Sequence, residues 1–232
     1  MGRAMSFLGK TRSGSDRGVV AAVGAAPAPM AAAQARISNG LKDFLWLLSD
    51  VERGRLLDLG PVSQATVNFF TGRGFKVYTE DVLRSWKEHL RAQEQRFRAA
   101  PPASAVPADP AALAESFLAS NLLYADETFH AILAWDIFDY LDAELLPRVV
   151  ARLHAMLRLG GVLLAMFHSK PPVEFHHYRV LDQQTLDLAP AAAPVPHLRT
   201  FQNREMLNLF GAFRSSKTYV GRDQLREGLF TK

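Results

Sequence analysis

The sequence contains no cysteine, which excludes disulfide frameworks, thiolate catalysis and cysteine-based zinc or iron–sulfur sites. A cysteine-free chain is compatible with the reducing cytoplasm, where we expect the protein to reside. It also lacks a strongly apolar run of 18 or more residues, so we predict no transmembrane helix. The 232 residues, 48% of them hydrophobic and 22% charged, fit one globular domain with an extension.

The chain has no general excess of positive charge once its charges are located. The first 36 residues hold five of the 27 basic and one of the 23 acidic residues, which accounts for the whole net charge of +4. The remainder is balanced, and a balanced domain gives little reason to expect contact with a phosphate backbone. We therefore do not expect nucleic acid as a partner; an RNA substrate is the form in which that alternative stays open.

Residues 1–36 are rich in glycine, alanine, serine and proline and show no periodicity. Such a segment buries too little apolar surface to offset its ordering entropy, so we predict a disordered basic tail followed by one domain over 37–232. A secretory signal is the competing interpretation, because Gly18–Ala26 is weakly apolar and Ala33–Ala35 has a cleavage-site pattern. The apolar run has no leucine, isoleucine or phenylalanine, which favours the tail.

Short apolar runs alternate with helical periodicity along the rest of the chain. We predict helices over 40–51, 63–72, 82–99, 143–158 and 203–210, and strands over 55–60, 75–81, 129–135, 162–167, 213–220 and 224–231, with a hairpin over 178–189. Asp109 and Pro110 have the residue types of an N-cap and first helical position, and Gly160-Gly161 is predicted to end the fourth of these helices. This alternation is typical of a parallel sheet covered by helices.

Two acids and a glycine fall at the ends of the first two of these strands. Asp58-Leu59-Gly60 ends the first, and Asp81 closes the second 21 residues after Gly60. In a doubly wound sheet, a nucleotide lies across these strand ends, and an acid about 20 residues beyond the glycine turn binds ribose hydroxyls. Asp and Gly are also common in turns, so a purely structural role remains open.

Five segments together resemble the class I S-adenosylmethionine (SAM)-dependent methyltransferases, over roughly residues 40–232. They are LLDLG (56–60), KVYTED (76–81), LLYADETFHAILAWDIFDYL (122–141), LRLGGVLLAMF (157–167) and NREMLNLFGAF with REGLFTK (203–213 and 226–232). The resemblance implies a seven-stranded, mostly parallel, doubly wound Rossmann-like α/β sheet with an antiparallel last strand. It also implies a methyltransferase with SAM as cofactor, bound by Asp58, Gly60, Ser63, Asp81 and Trp135.

The glycine-rich loop departs from the family pattern. The family has G-x-G-x-G where this chain has Gly60-Pro61-Val62-Ser63-Gln64, so two glycines are replaced. Val62 adds a Cβ where little room is expected, and Pro61 removes an amide donor. The acid expected near the end of the third strand aligns with Leu118.

Two interpretations follow from this loop. The first is a variant loop that still binds SAM, with Ser63 supplying a side-chain hydrogen bond. The second is a non-catalytic scaffold or interaction protein that has lost the cofactor. We favour binding, because Asp58, Gly60 and Asp81 keep their places together.

Methyl transfer requires a nucleophile in line with the methyl group, and a base when that nucleophile starts protonated. His168 follows the fifth strand and is the candidate base. Asp136 and Asp139 follow the fourth strand, where a turn or cap role is the stronger interpretation.

The histidines at 168, 176 and 177 have no fixed helical spacing, so we predict no metal site. Residues 170–200 are predicted to select the acceptor. Their aromatic, histidine and proline content suits a small or medium organic molecule.

Overall fold

The computed structural model describes residues 34–101, 109–221 and 223–232. The predicted tail therefore lies outside the described residues up to position 33, as do residues 102–108 of the proline- and alanine-rich linker. Residues 34–36, which were predicted to belong to the tail, instead lie in a strand over Gln34–Ile37 that pairs with residues 185–188. None of the described helices is both long and apolar enough to cross a membrane.

Nine strands and six α-helices make up the described chain. The strands are β1 Gln34–Ile37, β2 Gly54–Asp58, β3 Phe75–Thr79, β4 Phe129–Trp135, β5 Leu157–His168, β6 Phe175–Val180, β7 Thr185–Ala191, β8 Ser215–Val220 and β9 Leu225–Thr231. The helices are α1 Asn39–Leu47, α2 Gln64–Thr71, α3 Val82–Ala99, α4 Pro110–Leu118, α5 Leu145–Met156 and α6 Asn203–Leu209, with a 3₁₀ turn at Ile137–Tyr140.

Six strands form the main sheet in the order β3-β2-β4-β5-β9-β8. The first four are parallel, and β9, the last strand of the chain, runs antiparallel to both of its neighbours. Helices α1 and α2 pack on one face, and α3 to α6 on the other. This confirms the predicted Rossmann-like α/β class with an antiparallel last strand.

The sheet has six strands rather than the predicted seven, because the segment that ends at Leu118 is helical. Asp109 caps α4 by accepting a hydrogen bond from the Ala112 amide at 3.3 Å, and Pro110 occupies the first turn. The local helix-start signal therefore prevails over the strand that the resemblance implied, and Leu118 lies on a helix instead of at a strand end.

A second sheet, in the order β1-β7-β6, packs over the face that carries α1 and α2. The predicted hairpin is its β6–β7 pair, which begins earlier and ends later than predicted. Buried Arg36 of β1 pairs with Asp223 and with Glu227 of β9. Ser38 donates to the other Glu227 oxygen at 2.8 Å. These bonds tie the second sheet to the first.

Gly160 and Gly161 do not end a helix, as the sequence pattern predicted. Helix α5 ends at Met156, and both glycines lie within β5. Gly160 has φ +76°, and the pairing with β4 is irregular at this point. The glycines therefore form a bulge, where the left-handed conformation favours a residue without a Cβ.

Candidate functional site

The order of the central strands creates a crevice at the carboxyl end of the sheet. From β2 the chain moves to β3 on one side and later returns to β4 on the other, so the order reverses at β2. Ligands of doubly wound proteins bind at such a reversal. Gly60, Asp81 and Trp135 line the crevice, together with His177 and Tyr178 from the second sheet.

Asp58 ends β2 and is completely buried beneath the crevice. Its Oδ1 accepts from the Trp135 indole Nε1 at 2.6 Å and from the Gly60 amide at 3.1 Å. Trp135 reaches this position from the end of β4 with φ +48°. A Cβ added at Gly60 would lie 2.9 Å from Trp135 Cδ1, so the indole itself requires glycine here.

The electrostatics of Asp58 follow from this burial. Desolvation raises the pKa of its carboxyl from 3.8 to about 7, although the bonds from Trp135 and Gly60 act in the opposite direction. The negative charge of Asp81 raises it further. Asp58 is thus partly protonated near neutral pH, which lowers the cost of keeping it out of water.

Asp81 lies at the crevice and also caps α3. One of its oxygens accepts from the Arg84 amide at 3.1 Å, which leaves the other oxygen to a ligand. The neighbouring Glu80 does not line the crevice and accepts instead from the Leu122 amide at 3.3 Å. Asp81 therefore has an oxygen available to a ligand in the crevice, whereas Glu80 holds the backbone at Leu122.

Ser63, expected at the cofactor, is buried as the N-cap of α2. Its hydroxyl accepts from the Thr66 amide at 3.3 Å, and it is not among the residues that line the crevice. Val62, which replaces a glycine, is 76% exposed, so its side chain does not fill the crevice.

The crevice is closed by the protein's own side chains. Tyr178 stacks on Trp135 with ring centroids 5.3 Å apart, and the remaining cavity is about 20 Å³. That volume suits a water molecule, whereas pockets for drug-sized ligands start near about 300 Å³. The free carboxylate oxygen of Asp81 suits a ligand with hydroxyl groups, such as a nucleoside. The indole of Trp135, however, occupies the space above Gly60.

A larger cavity of about 320 Å³ adjoins the crevice, and Tyr178 borders both. His168, the candidate base, lies on its wall at the end of β5. The backbone N–H and Nδ1 of His168 are each 2.8 Å from Oδ2 of Asp139. Asp136 lies 3.9 Å from the same Nδ1 and accepts from the Tyr178 hydroxyl at 3.3 Å.

Burial disfavours charge throughout this group. Desolvation raises the pKa of Asp136 to about 7 and that of Asp139 well above its usual value, and it lowers the pKa of His168. Because Oδ2 of Asp139 already accepts a backbone N–H, the bonding pattern assigns the imidazole proton to Nδ1. Nε2 of His168 is then the acceptor nitrogen.

The structure places five of the residues that the sequence singled out at one edge of the sheet: Asp58, Gly60, Asp81, Trp135 and His168. Sequence reasoning missed Asp139 as the partner of His168, because a turn role was the stronger interpretation. It also missed His197, whose ring centroid lies 6.2 Å from that of His168. No spacing rule in a single sequence connects these residues.

No known family profile and no curated protein sequence matches the chain. Among solved structures, it is similar to the 1,6-didemethyltoxoflavin-N1-methyltransferase of Burkholderia thailandensis, with 18% identity, TM-score 0.44 and coverage of 84% of this chain and 77% of the other. It is also similar to TehB of Haemophilus influenzae, with 15% identity, TM-score 0.42 and coverage of 82% and 61%. The glycopeptide N-methyltransferase MtfA in complex with S-adenosylhomocysteine gives 14% identity, TM-score 0.42 and coverage of 84% and 87%.

Proposed function

We propose that the protein is a SAM-dependent methyltransferase that acts on a small or medium organic acceptor in the cytoplasm. The observation that carries the proposal is the position of Asp58, Gly60 and Asp81 at the point where the strand order reverses. A nucleotide-binding crevice needs this arrangement, and the capping of α3 uses only one oxygen of Asp81, which leaves the other for a ligand.

Bound SAM would supply an electrophilic methyl group, and the protein's residues would hold and orient it. The second oxygen of Asp81 would accept hydrogen bonds from the ribose hydroxyls. Trp135 and Tyr178 must leave their stacked positions, because about 20 Å³ does not admit a nucleoside. With the indole displaced, Asp58 would have an oxygen available to hold the ligand. Cofactor binding is thus coupled to movement of these two rings.

The acceptor belongs in the cavity beside His168. With Nδ1–H donated to Asp139, Nε2 of His168 has a free lone pair for the proton of the acceptor. Asp139 fixes the ring and stabilises the imidazolium that forms, as a carboxylate does in nucleophile–base–acid arrangements. Since Tyr178 borders both spaces, one movement of this side chain joins them.

The test is titration with SAM and with S-adenosylhomocysteine, followed by thermal shift and tryptophan fluorescence. At a thousandfold excess over Kd, a ligand adds about 4 kcal/mol of stability. We expect Asp81→Asn to weaken binding about ten- to a hundredfold, because it removes the charge that strengthens the ribose bonds yet keeps an N-cap residue. Glu80→Gln is the matched control and should bind nearly as the native protein does. Equal loss in both variants contradicts the assignment of Asp81.

A scaffold without cofactor is the second candidate, favoured by the bond from Trp135 to Asp58 that fills the loop end of the crevice. A scaffold without cofactor should show no thermal shift with SAM or with S-adenosylhomocysteine, either in the native protein or in Trp135→Ala. Binding that appears only in Trp135→Ala would identify the indole as a block that the native protein does not remove.

A further inference from the structure

Two polar atoms beside His168 are buried without a hydrogen-bond partner. They are Oδ1 of Asp139 and Nε2 of His197; the other two such atoms among the described residues are Nε of Arg199 and Nε of Arg226. Asp139 is completely buried, and its other oxygen is fully used by His168. Native proteins pair nearly all buried polar atoms, so two such atoms in one cluster indicate a missing ligand.

The two atoms belong to a group of three side chains with the geometry of an incomplete metal centre. One nitrogen or oxygen each from Asp139, His168 and His197 lies within 4.8 Å of the other two. Asp139 comes from the 3₁₀ turn after β4, His168 from the end of β5, and His197 from the segment between β7 and α6. Three separate parts of the chain therefore converge on one point.

We propose that Asp139, His168 and His197 bind a divalent transition-metal ion of the Zn²⁺ class. Two imidazoles and a carboxylate form a common three-residue ligand set for such ions and leave positions open for water or substrate. Ligands of a tetrahedral zinc ion at about 2.1 Å lie about 3.4 Å apart, whereas the three groups lie within 4.8 Å of one another, so binding draws them together. His197 can supply this movement, because it lies outside regular secondary structure.

The surrounding charges set the affinity. Asp136 and Asp223 act on His168 and favour a cation, whereas the guanidinium of Arg199 acts on Asp139 and opposes one. Removal of the Arg199 charge should therefore strengthen metal binding. A purely structural role for the cluster does not predict this direction.

Metal binding and base catalysis by His168 are mutually exclusive. A metal on one ring nitrogen leaves the proton on the other, so the ring has no lone pair for the acceptor's proton. The site rests on Asp139, His168 and His197 alone and not on the proposed cofactor. It can therefore be tested without SAM or acceptor, and its failure is distinguishable from failure of the methyltransferase proposal.

The experiment is calorimetric titration of the chelator-treated full chain with Zn²⁺, with Co²⁺ absorption as a probe of the ligand set. We expect one ion per chain, and at least a tenfold loss of affinity in His197→Gln, since even outer-shell changes cost about tenfold. His154→Gln is the control, because this histidine lies on α5, packs against Phe213 and is outside the cluster. It should bind as the native protein does.

Arg199→Gln supplies a second, independent readout, with an expected gain in affinity of severalfold. Absence of binding to the native chain overturns the proposal. Equal affinity of His197→Gln and His154→Gln overturns it as well, because the ion would then bind elsewhere. Should His197→Gln fail to fold, unchanged or weaker binding in Arg199→Gln contradicts the site on its own.

Discussion

The crevice over Gly60 and the cavity beside His168 lie at the same end of the sheet and share Tyr178, yet they differ in how their buried acids are satisfied. In the crevice, Asp58 accepts two hydrogen bonds and the remaining space is about 20 Å³. In the cavity region, the completely buried Asp139 has one oxygen without a partner, and the His168 that it holds lies on the wall of a space of about 320 Å³.

This difference predicts how each space takes a ligand. A ligand in the crevice must displace Trp135, so its apparent affinity falls by the fraction of molecules in which the indole has moved. A metal ion at Asp139 adds bonds to atoms that have none and requires His197 to approach, but no stacked ring has to leave its position. Binding in the crevice is therefore expected to report on conformational change, and binding beside Asp139 on local chemistry.

The largest loss of folding stability should come from Arg36→Met, which changes the wall of the cavity. Arg36 borders the cavity, and its loss leaves Glu227, 2% exposed, without its cation. Removal of one partner of a buried ion pair costs about 3–5 kcal/mol. Urea denaturation measures this loss directly.

The control for Arg36 is Arg84→Met, which removes an exposed pair with Glu88 one helical turn away on α3. Exposed pairs contribute about 0–1 kcal/mol, so this variant should remain close to the native stability. A similar loss in both variants would mean that the second sheet is not held through Arg36.

The second effect is the pH dependence of the stability that Asp58, beneath the crevice, contributes. The pKa of Asp58 is about 7 in the folded protein and 3.8 as a reference for the unfolded chain. The folded state thus binds the extra proton between these values, so the contribution of Asp58 to stability falls as pH rises from about 4 to about 7. Asp58→Asn does not titrate, and its stability relative to the native protein should rise across that range.

The slope is at most about 1.4 kcal/mol per pH unit. Asp136 has a pKa raised in the same way, but it titrates in both proteins and cancels from the difference. Urea unfolding at pH 5, 6, 7 and 8 provides the comparison. A difference that stays constant across these values would show that Asp58 is ionised throughout.

Trp135→Phe should give a smaller loss of folding stability. It leaves the buried Asp58 with one hydrogen-bond donor fewer, which brings it closer to the situation of Asp139. The substitution keeps an aromatic ring but removes the indole N–H from Asp58 Oδ1. A buried acceptor that loses a donor costs about 1–3 kcal/mol. Trp46 is 73% exposed, so Trp46→Phe should change the free energy of unfolding by less than about 0.5 kcal/mol. Equal effects would rule out the Asp58 bond as a source of stability.

The same contrast explains what the sequence could predict. Apolar runs and turn residues are local signals, and they located β2 to β5, β8 and β9 together with the acids that follow strands. Asp58, Asp81 and His168 were found because parallel strands bring their carboxyl ends to one edge. The spacing of Asp81 from Gly60 is likewise a local property of one β-α-β unit.

Long-range pairings had no local signal. Arg36 looked like part of a basic tail because its partner Glu227 lies 191 residues away in sequence. Trp135 holds Asp58 only through a left-handed backbone at the end of β4, which is a rare conformation for a large residue. His197 follows a proline- and alanine-rich loop without periodicity. In each case tertiary contacts, rather than local preference, determine the role.

The smallest effect separates two roles of Ser63, which caps α2 and does not line the crevice in this structure. As the N-cap of α2, its hydroxyl accepts from the Thr66 amide, so Ser63→Ala should cost about 1 kcal/mol of stability. Ser63→Asp keeps a capping oxygen but removes the hydroxyl donor. If the hydroxyl also bonds the cofactor, Ser63→Asp should keep most of the stability and lose SAM affinity in a thermal-shift titration. If Ser63 acts only as a cap, SAM affinity should follow the helix: preserved in Ser63→Asp, and reduced in Ser63→Ala only as far as the loop loses order.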